Sequence, residues 1–257
     1  MIHYHGTPIG GTNNGAAEFL VSRHAMVSHA HQKQMGIVAE ACQSFTLDNG
    51  AFSQWKRGKS VDFKAYGEWI SEWSCHPGFD WCLIPDEIDG NEKDNDALLD
   101  TWINSENARH GVPVWHYHES FERLERLLAL VANHATAPVL ALGSSGAWPT
   151  PGSARWWERT AQVMRVLCDA HGRPRVKLHG LRMLNPKVFS YMPLSSADST
   201  NVGRNQGQKE RFGMYVPPSS GQRATVIAHR IEAFNSSPVW CGGPCPDDDD
   251  RTPSWMR

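Results

Sequence analysis

Aspartates and histidines stand at the ends of several short apolar runs in this 257-residue chain. The residues in this position are Asp48, Asp86, His116, His179 and Asp198. Neighbouring carboxyl groups can carry out glycosyl transfer, in which one attacks the sugar carbon and another moves the proton. Histidines grouped with carboxylates can instead hold a catalytic metal ion. The residue types therefore predict either glycosyl transfer or metal-dependent hydrolysis.

Each of these motifs, taken alone, is also typical of ordinary local structure. Residues 48–50 (Asp-Asn-Gly) favour a tight turn, and residues 86–87 or 198–200 can cap a helix. The functional interpretation therefore depends on whether one fold brings all of them to the same face.

Short apolar runs alternate with segments of helical periodicity along the chain. The runs predicted to be buried strands cover residues 44–47, 79–84, 112–115, 138–142, 176–178 and 189–194. The predicted helices cover residues 62–73, 95–108, 120–132 and 154–170, with Asp62 and Ser120 as N-caps. Residues 3–6 and either 25–28 or 212–216 bring the strand count to eight.

This alternation is typical of a parallel sheet covered by helices. We expect an α/β fold, a single (β/α)8 TIM-like barrel over residues 1–235 with a short C-terminal extension. Residues 236–257 are predicted to form an acidic, flexible tail. A doubly wound open sheet is the alternative. In a barrel the carboxyl ends of the strands form the active-site face, so the strand-end residues would meet there.

The strand-end motifs, in their order along the chain, resemble the tRNA-guanine transglycosylase family. The resemblance is carried by residues 45–52, 85–87, 141–143, 178–180 and 196–200. Residues 196–200 (Ser-Ala-Asp-Ser-Thr) and the short chain are more similar to the DNA-acting branch. That branch comprises the DpdA-type 7-deazaguanine DNA transglycosylases of phages and bacterial modification islands. The resemblance covers about residues 3–205.

The resemblance implies a role for individual side chains. Asp198 would be the nucleophile on C1′ of the target guanosine, and Asp48 the general acid and base. Asp86 would bind the guanine edge, and Phe52 would stack on the base. The other substrate-binding residues that it implies are His116, Tyr117, Gly143, Ser144, His179 and Ser196. Either His116 or Tyr117 occupies the place of the family's pocket glutamine.

The implied reaction replaces guanine in DNA by a 7-deazaguanine such as preQ0. Its partners would be double-stranded DNA with a flipped guanine and the free 7-deazaguanine base. It requires no cofactor. The alternative substrate is tRNA, although the chain lacks the zinc-binding insertion that the tRNA enzymes carry.

The formal net charge of -2 argues against a uniformly basic nucleic-acid binder. Basic residues are nevertheless concentrated, because residues 173–211 contain eight of them against two acidic residues. Such clusters can hold the phosphates of a bound strand, although many are only solvated surface. The predicted DNA-binding residues are Lys56, Arg57, Lys59, Arg182, Arg204 and Lys209.

Two metal sites are weaker alternatives. A structural zinc ion needs four ligands, and Cys241 and Cys245 have only His229 nearby in sequence. An amidohydrolase-like metal site would combine His3 and His5 with the histidines at positions 116 and 179, but residues 212–218 provide no acid for a closing strand. We therefore expect no bound metal.

No apolar run approaches the ~20 residues that a membrane-spanning helix needs. The first residues also lack the basic start and apolar stretch of a signal peptide. We expect a cytoplasmic protein without a membrane partner.

Overall fold

The computed structural model describes residues 1–7, 18–58, 60–88, 90–133 and 138–244. Lys59, Cys245 and the acidic run 247–250 lie outside these residues, so the predictions made for them stay predictions.

The sheet consists of nine parallel strand segments that surround one axis. They are β1 (Ile2–Gly6), β2 (His24–Ser28), β3 (Ser44–Asp48), β4 (Phe79–Leu83), β5 (Gly111–Val112), β6 (Val114–His116), β7 (Val139–Gly143), β8 (Lys177–Gly180) and β9 (Ser196–Ser199). Their order in the sheet is β5-β4-β3-β2-β1-β9-β8-β7-β6.

The two outermost segments are halves of one extended stretch that Pro113 interrupts. Proline has no N–H and cannot donate to a ladder. The first half pairs with β4 and the second with β7, so the chain itself closes the sheet. The fold is therefore an eight-stranded (β/α)8 barrel, as predicted, and the open-sheet alternative is wrong.

Helices on the outside connect most of the strands. They are α1 (Met35–Ala41), α2 (Ala51–Trp55), α3 (Phe63–Trp73), α4 (Glu92–Ile103), α5 (Phe121–Ala132), α6 (Ala154–Leu167), α7 (Pro186–Phe189), α8 (Asn201–Asn205) and α9 (Ser220–Glu232). The predicted N-caps are confirmed, since Asp62 accepts from the N–H of Ala65 and Ser120 from that of Arg123. The predicted helix at 95–108 starts earlier, because Asn91 caps it.

The last predicted strand, residues 189–194, is wrong. Asn185 caps a short helix with Pro186 in its first turn, and this helix occupies the start of the apolar run. The strand itself is the small, polar segment β9, which pairs with β1 and β8. Of the two candidates for the remaining strand, residues 25–28 are the correct one, as part of β2.

Side chains fill the barrel interior, and a second apolar layer lies between strands and helices. The interior cluster consists of Tyr4, Met26, Trp81, Leu83, Val112, Val114, Val139 and Ala141. Because successive strand residues point to opposite faces, alternate residues of each strand share this interior. The interior cluster forms the floor on which the site is built.

Part of the predicted flexible tail packs onto the barrel. The N–H of Trp240 donates to the carbonyl of Gly172 at 2.8 Å, and the Trp240 ring stacks on Trp157. No helix in the described part of the chain is long and apolar enough to cross a membrane.

Candidate active site

A cavity of about 520 Å³ opens at the carboxyl ends of the strands. Ten of the sequence-predicted residues line it: Asp48, Phe52, Lys56, Asp86, His116, Gly143, Ser144, Arg182, Asp198 and Arg204. They come from the ends of β3, β4, β6, β7, β8 and β9 and from the segments that follow. The structure thus brings the carboxyl groups of all three strand-end aspartates to one cavity.

Asp48 ends β3 and is followed by a sharp turn. Gly50 has φ of +80°, a left-handed conformation that favours glycine, and begins α2 directly at the cavity. Burial raises the pKa of Asp48 to about 7, and the charges of Asp198 and Asp86 act in the same direction. The Ser28 hydroxyl and the Gly50 N–H act against them. Asp48 can therefore give or take a proton near neutral pH.

Asp86 is buried and held on both oxygens. Its Oδ1 accepts from Asn49 Nδ2 at 2.5 Å, and its Oδ2 lies 2.7 Å from His116 Nε2. Asn49 also donates to the Ile84 carbonyl and accepts from the Ala51 N–H. A single buried amide therefore ties the Asp48 turn to the Asp86 carboxylate and fixes their separation.

A buried ion pair supports His116 from behind. Glu119 accepts from the His116 N–H at 2.8 Å and from Arg123 at 2.6 Å. Arg123 continues to Asp96 on α4, at 2.8 Å. This network connects the strand end to two outer helices, so His116 has little freedom to move away from Asp86.

Asp198 lies within β9 and also faces the cavity. Its Oδ1 accepts from the Arg182 N–H at 2.9 Å and lies 3.5 Å from His179 Nε2. The other ring nitrogen of His179 shares a 2.8 Å hydrogen bond with the Ser196 hydroxyl. Because both contacts are made to Oδ1, Oδ2 is the oxygen that can face a ligand.

Arg182 joins the nucleophile candidate to the aromatic side of the cavity. Its backbone has φ of +60°, a conformation that costs energy for a side chain of this size. This strained backbone aims its N–H at Asp198, while the guanidinium donates to the Ser144 carbonyl at 2.6 Å. The guanidinium carbon also lies 4.2 Å from the Phe52 ring centre. The sequence predicts only a phosphate contact for Arg182.

Five predicted residues do not line the cavity. Tyr117 points outward, stacks on Trp156 and shares a hydrogen bond with Thr160, so of these two neighbouring residues only His116 faces the cavity. His179 and Ser196 lie in the floor and reach the cavity only through Asp198. Arg57 and Lys209 are exposed beyond the lining residues.

The amidohydrolase-like metal set does not assemble. His3 and His5 point outward from β1, His3 to the carbonyl of Phe234 and His5 to Glu232 on α9. Within the described ranges, no three His, Cys, Asp or Glu residues are grouped so that they could hold a metal ion. Cys241 is an exposed free thiol among these residues.

Sequence reasoning gave no role to Asn49 or to the backbone of Arg182, and it also missed the polar lining residues Thr7, Ser28 and His31. Asn49 sits inside the Asp-Asn-Gly motif, where a turn explains it without a functional role. The in-and-out alternation of side chains along β3 does not indicate that the Asn49 side chain donates to the carbonyl of Ile84, directly after β4. The φ of Arg182 has no sequence signal, since glycine is the usual residue in that conformation.

Comparison with known proteins supports the fold. No protein-family model and no curated protein matches the chain. Among solved structures, it is similar to a mutant tryptophan synthase alpha-subunit from the hyperthermophile Pyrococcus furiosus, with a TM-score of 0.53 and 11% identity. The match covers 91% of this chain and 98% of that chain. At this identity the likeness shows the fold alone. The chain is a TIM barrel, and three aspartates line the cavity at the carboxyl ends of its strands. The transglycosylase resemblance gains nothing from it.

Proposed function

We propose that this chain is a transglycosylase that exchanges guanine in DNA for a 7-deazaguanine such as preQ0. The observation that carries the proposal is the meeting of Asp48, Asp86 and Asp198 in one cavity, with the pKa of Asp48 raised to about 7. The cavity volume lies within the roughly 300–1,000 Å³ of small-molecule sites. It therefore has room for one extruded nucleoside.

Base recognition is assigned to Asp86. Each of its oxygens already accepts one hydrogen bond and keeps a second lone pair. Two oxygens fixed from behind by Asn49 and His116 can accept from the N1–H and the exocyclic amine of guanine. Adenine offers no such pair of adjacent donors, so this edge would select guanine.

The chemistry is assigned to Asp198 and Asp48. Asp198 Oδ2 attacks C1′ while the C1′–N9 bond breaks, and protonated Asp48 gives its proton to the departing guanine. The resulting Asp48 carboxylate then removes the N9 proton of the incoming base. The N9 of that base attacks C1′ and releases Asp198. One glycosidic bond replaces another, so no further energy source enters.

The cations at the rim favour a nucleic acid over a free nucleoside. Lys56 and Arg204 line the cavity, and Lys56 Nζ lies 4.5 Å from the Phe52 ring centre. Arg57 is exposed in the turn that follows α2. Phosphates on either side of a flipped nucleotide would lie beside these charges.

The test is base exchange with labelled guanine or labelled preQ0, measured separately in duplex DNA and in tRNA. We expect label in DNA, none after Asp198→Asn, and unchanged incorporation after Asp100→Asn. Asp100 is the matched control because it is an exposed aspartate on the outer helix α4, away from the cavity lining. Label in tRNA only, or in neither nucleic acid, would overturn the DNA assignment.

A further inference from the structure

Residues 207–216, here called the protrusion, leave the barrel directly beside the cavity. Gly203 and Arg204 on α8 line the cavity, and Gln206 follows one residue after that helix. Three residues of helix advance the chain by only about 5 Å. The protrusion therefore starts at the cavity rim.

The base of the protrusion is firmly anchored. Arg223 on α9 donates to the carbonyls of Gln206, Pro217 and Pro218 at 2.7–2.9 Å and so holds its two ends together. Phe212 is buried. The segment is thus built to hold a fixed shape at its base.

The tip of the protrusion presents two large apolar side chains to solvent. Met214 is 87% exposed and Tyr215 is 85% exposed. Gly213, with φ of +65°, turns the chain outward immediately before them. Adjacent, almost fully exposed side chains of this size contribute nothing to the core of the described structure. Exposed apolar side chains that lie together often mark a binding site for a partner.

The residues that precede the tip are basic on balance. Lys209 and Arg211 stand on either side of Glu210 in the protrusion, and Arg204 stands just before it. This combination of apolar tip and cationic flank fits nucleic acid, since proteins that kink a duplex insert apolar side chains between bases while cations hold the phosphates. A protein or lipid partner would account for the apolar tip but would not require the cations beside it.

We infer that Met214 and Tyr215 insert into duplex DNA and fill the space that the flipped guanine leaves. The inference rests on the proposed function, because only a site that takes an extruded base requires such a filler. Extrusion removes the stacking and pairing of the guanine, and a stacked aromatic ring restores part of the lost stacking. The role is specific to duplex DNA, since a guanine in a single strand needs no replacement.

The test compares the double variant Met214→Ala/Tyr215→Ala with the control Ile103→Ala/Leu130→Ala. The control removes two exposed apolar side chains from the carboxyl-terminal turns of α4 and α5, which in a (β/α)8 barrel lie at the opposite end from the cavity. Two DNA substrates are used. One is a duplex with the fluorescent base 2-aminopurine beside one guanine, and the other is the same labelled strand without its complement. Two quantities are measured: the fluorescence rise on binding, and label exchange on each substrate.

We expect the double variant to lose the fluorescence rise on duplex DNA and to slow exchange on the duplex by about tenfold. Exchange on the single strand stays at the wild-type rate, and the control behaves as wild type. An equal fluorescence rise in wild type and double variant, or no rise in wild type, overturns the inference. So does an equal loss of exchange on both substrates, which would assign these residues to general strand binding. Wild-type protein that inserts but exchanges no base would refute the proposed function and leave the insertion standing.

Discussion

At the scale of single residues, Asp48 carries the clearest sign of chemistry. Its pKa of about 7 has burial as the largest cause, and the two other cavity carboxylates raise it further. A group that must both donate and accept a proton works best when its pKa lies near ambient pH. The same carboxylates that would read the base and attack the sugar therefore also tune the acid.

The raised pKa of Asp48 makes stability depend on pH. The folded state holds this proton up to about pH 7, whereas the unfolded chain releases it near pH 4, so the contribution of Asp48 to stability falls as pH rises between these values. We expect Asp48→Asn to stabilise the protein at pH 8 by about 1–3 kcal/mol and to leave stability at pH 4 unchanged. Urea unfolding at both pH values measures this. A difference of equal size at both would refute it.

The alternation of strand residues decides which predicted side chains reach the site. Val114 fills the interior, so His116 also points inward and Tyr117 outward. The same rule turns His3 and His5 away, because Tyr4 between them is interior. The inward or outward direction of these side chains follows from the sequence once one interior residue per strand is known. The hydrogen bond from Asn49 to Asp86 cannot be predicted in this way, because it depends on the distance between two strands.

At the scale of elements, the turn after β3 sets the position of Asp48. A Cβ on Gly50 would lie 3.2 Å from the Ala30 backbone nitrogen, and its φ of +80° is unfavourable for other residues. We expect Gly50→Ala to destabilise the protein by about 1–2 kcal/mol and to reduce base exchange. The matched control is Gly36→Ala in α1, where a Cβ meets open space and helix propensity improves. Thermal unfolding that ranks both variants equally would contradict this.

Helix ends were more predictable than strands. Asp62 and Ser120 cap their helices through contacts within three residues, which a sequence shows directly. The strand β9 was missed because its residues are small and polar, and only pairing on both sides with β1 and β8 buries them. Asp198 consequently lies inside a strand, whereas the sequence predicts it after one.

At the scale of the whole molecule, charge is distributed in a way that the net value of -2 conceals. Three carboxylates line the cavity together with the basic residues Lys56, Arg182 and Arg204. We expect DNA affinity to fall with salt, and Arg204→Ala to reduce the slope of log K against log salt by about 1. Fluorescence anisotropy across a salt series measures it. The control is Arg165→Ala, which removes an exposed arginine from the outer helix α6 and should leave the slope unchanged. Equal slopes for the wild type, Arg204→Ala and Arg165→Ala would rule out a phosphate contact of Arg204.

The barrel as a whole was predictable from alternating periodicities, since each element follows a local pattern. The function was not predictable in the same way, because the same fold at 11% identity also occurs in a tryptophan synthase alpha-subunit. The proposal therefore depends on the cavity and on Asp198 in particular.

The most direct measurement is trapping of the covalent intermediate. Duplex DNA is incubated with the protein, denatured without an incoming base, and the digested protein is analysed by mass spectrometry. The account predicts a deoxyribose-linked adduct on the peptide that carries Asp198, absent in Asp198→Asn and present in the control Asp100→Asn. An adduct on Asp48, an adduct retained in Asp198→Asn, or exchange activity without any adduct would contradict it.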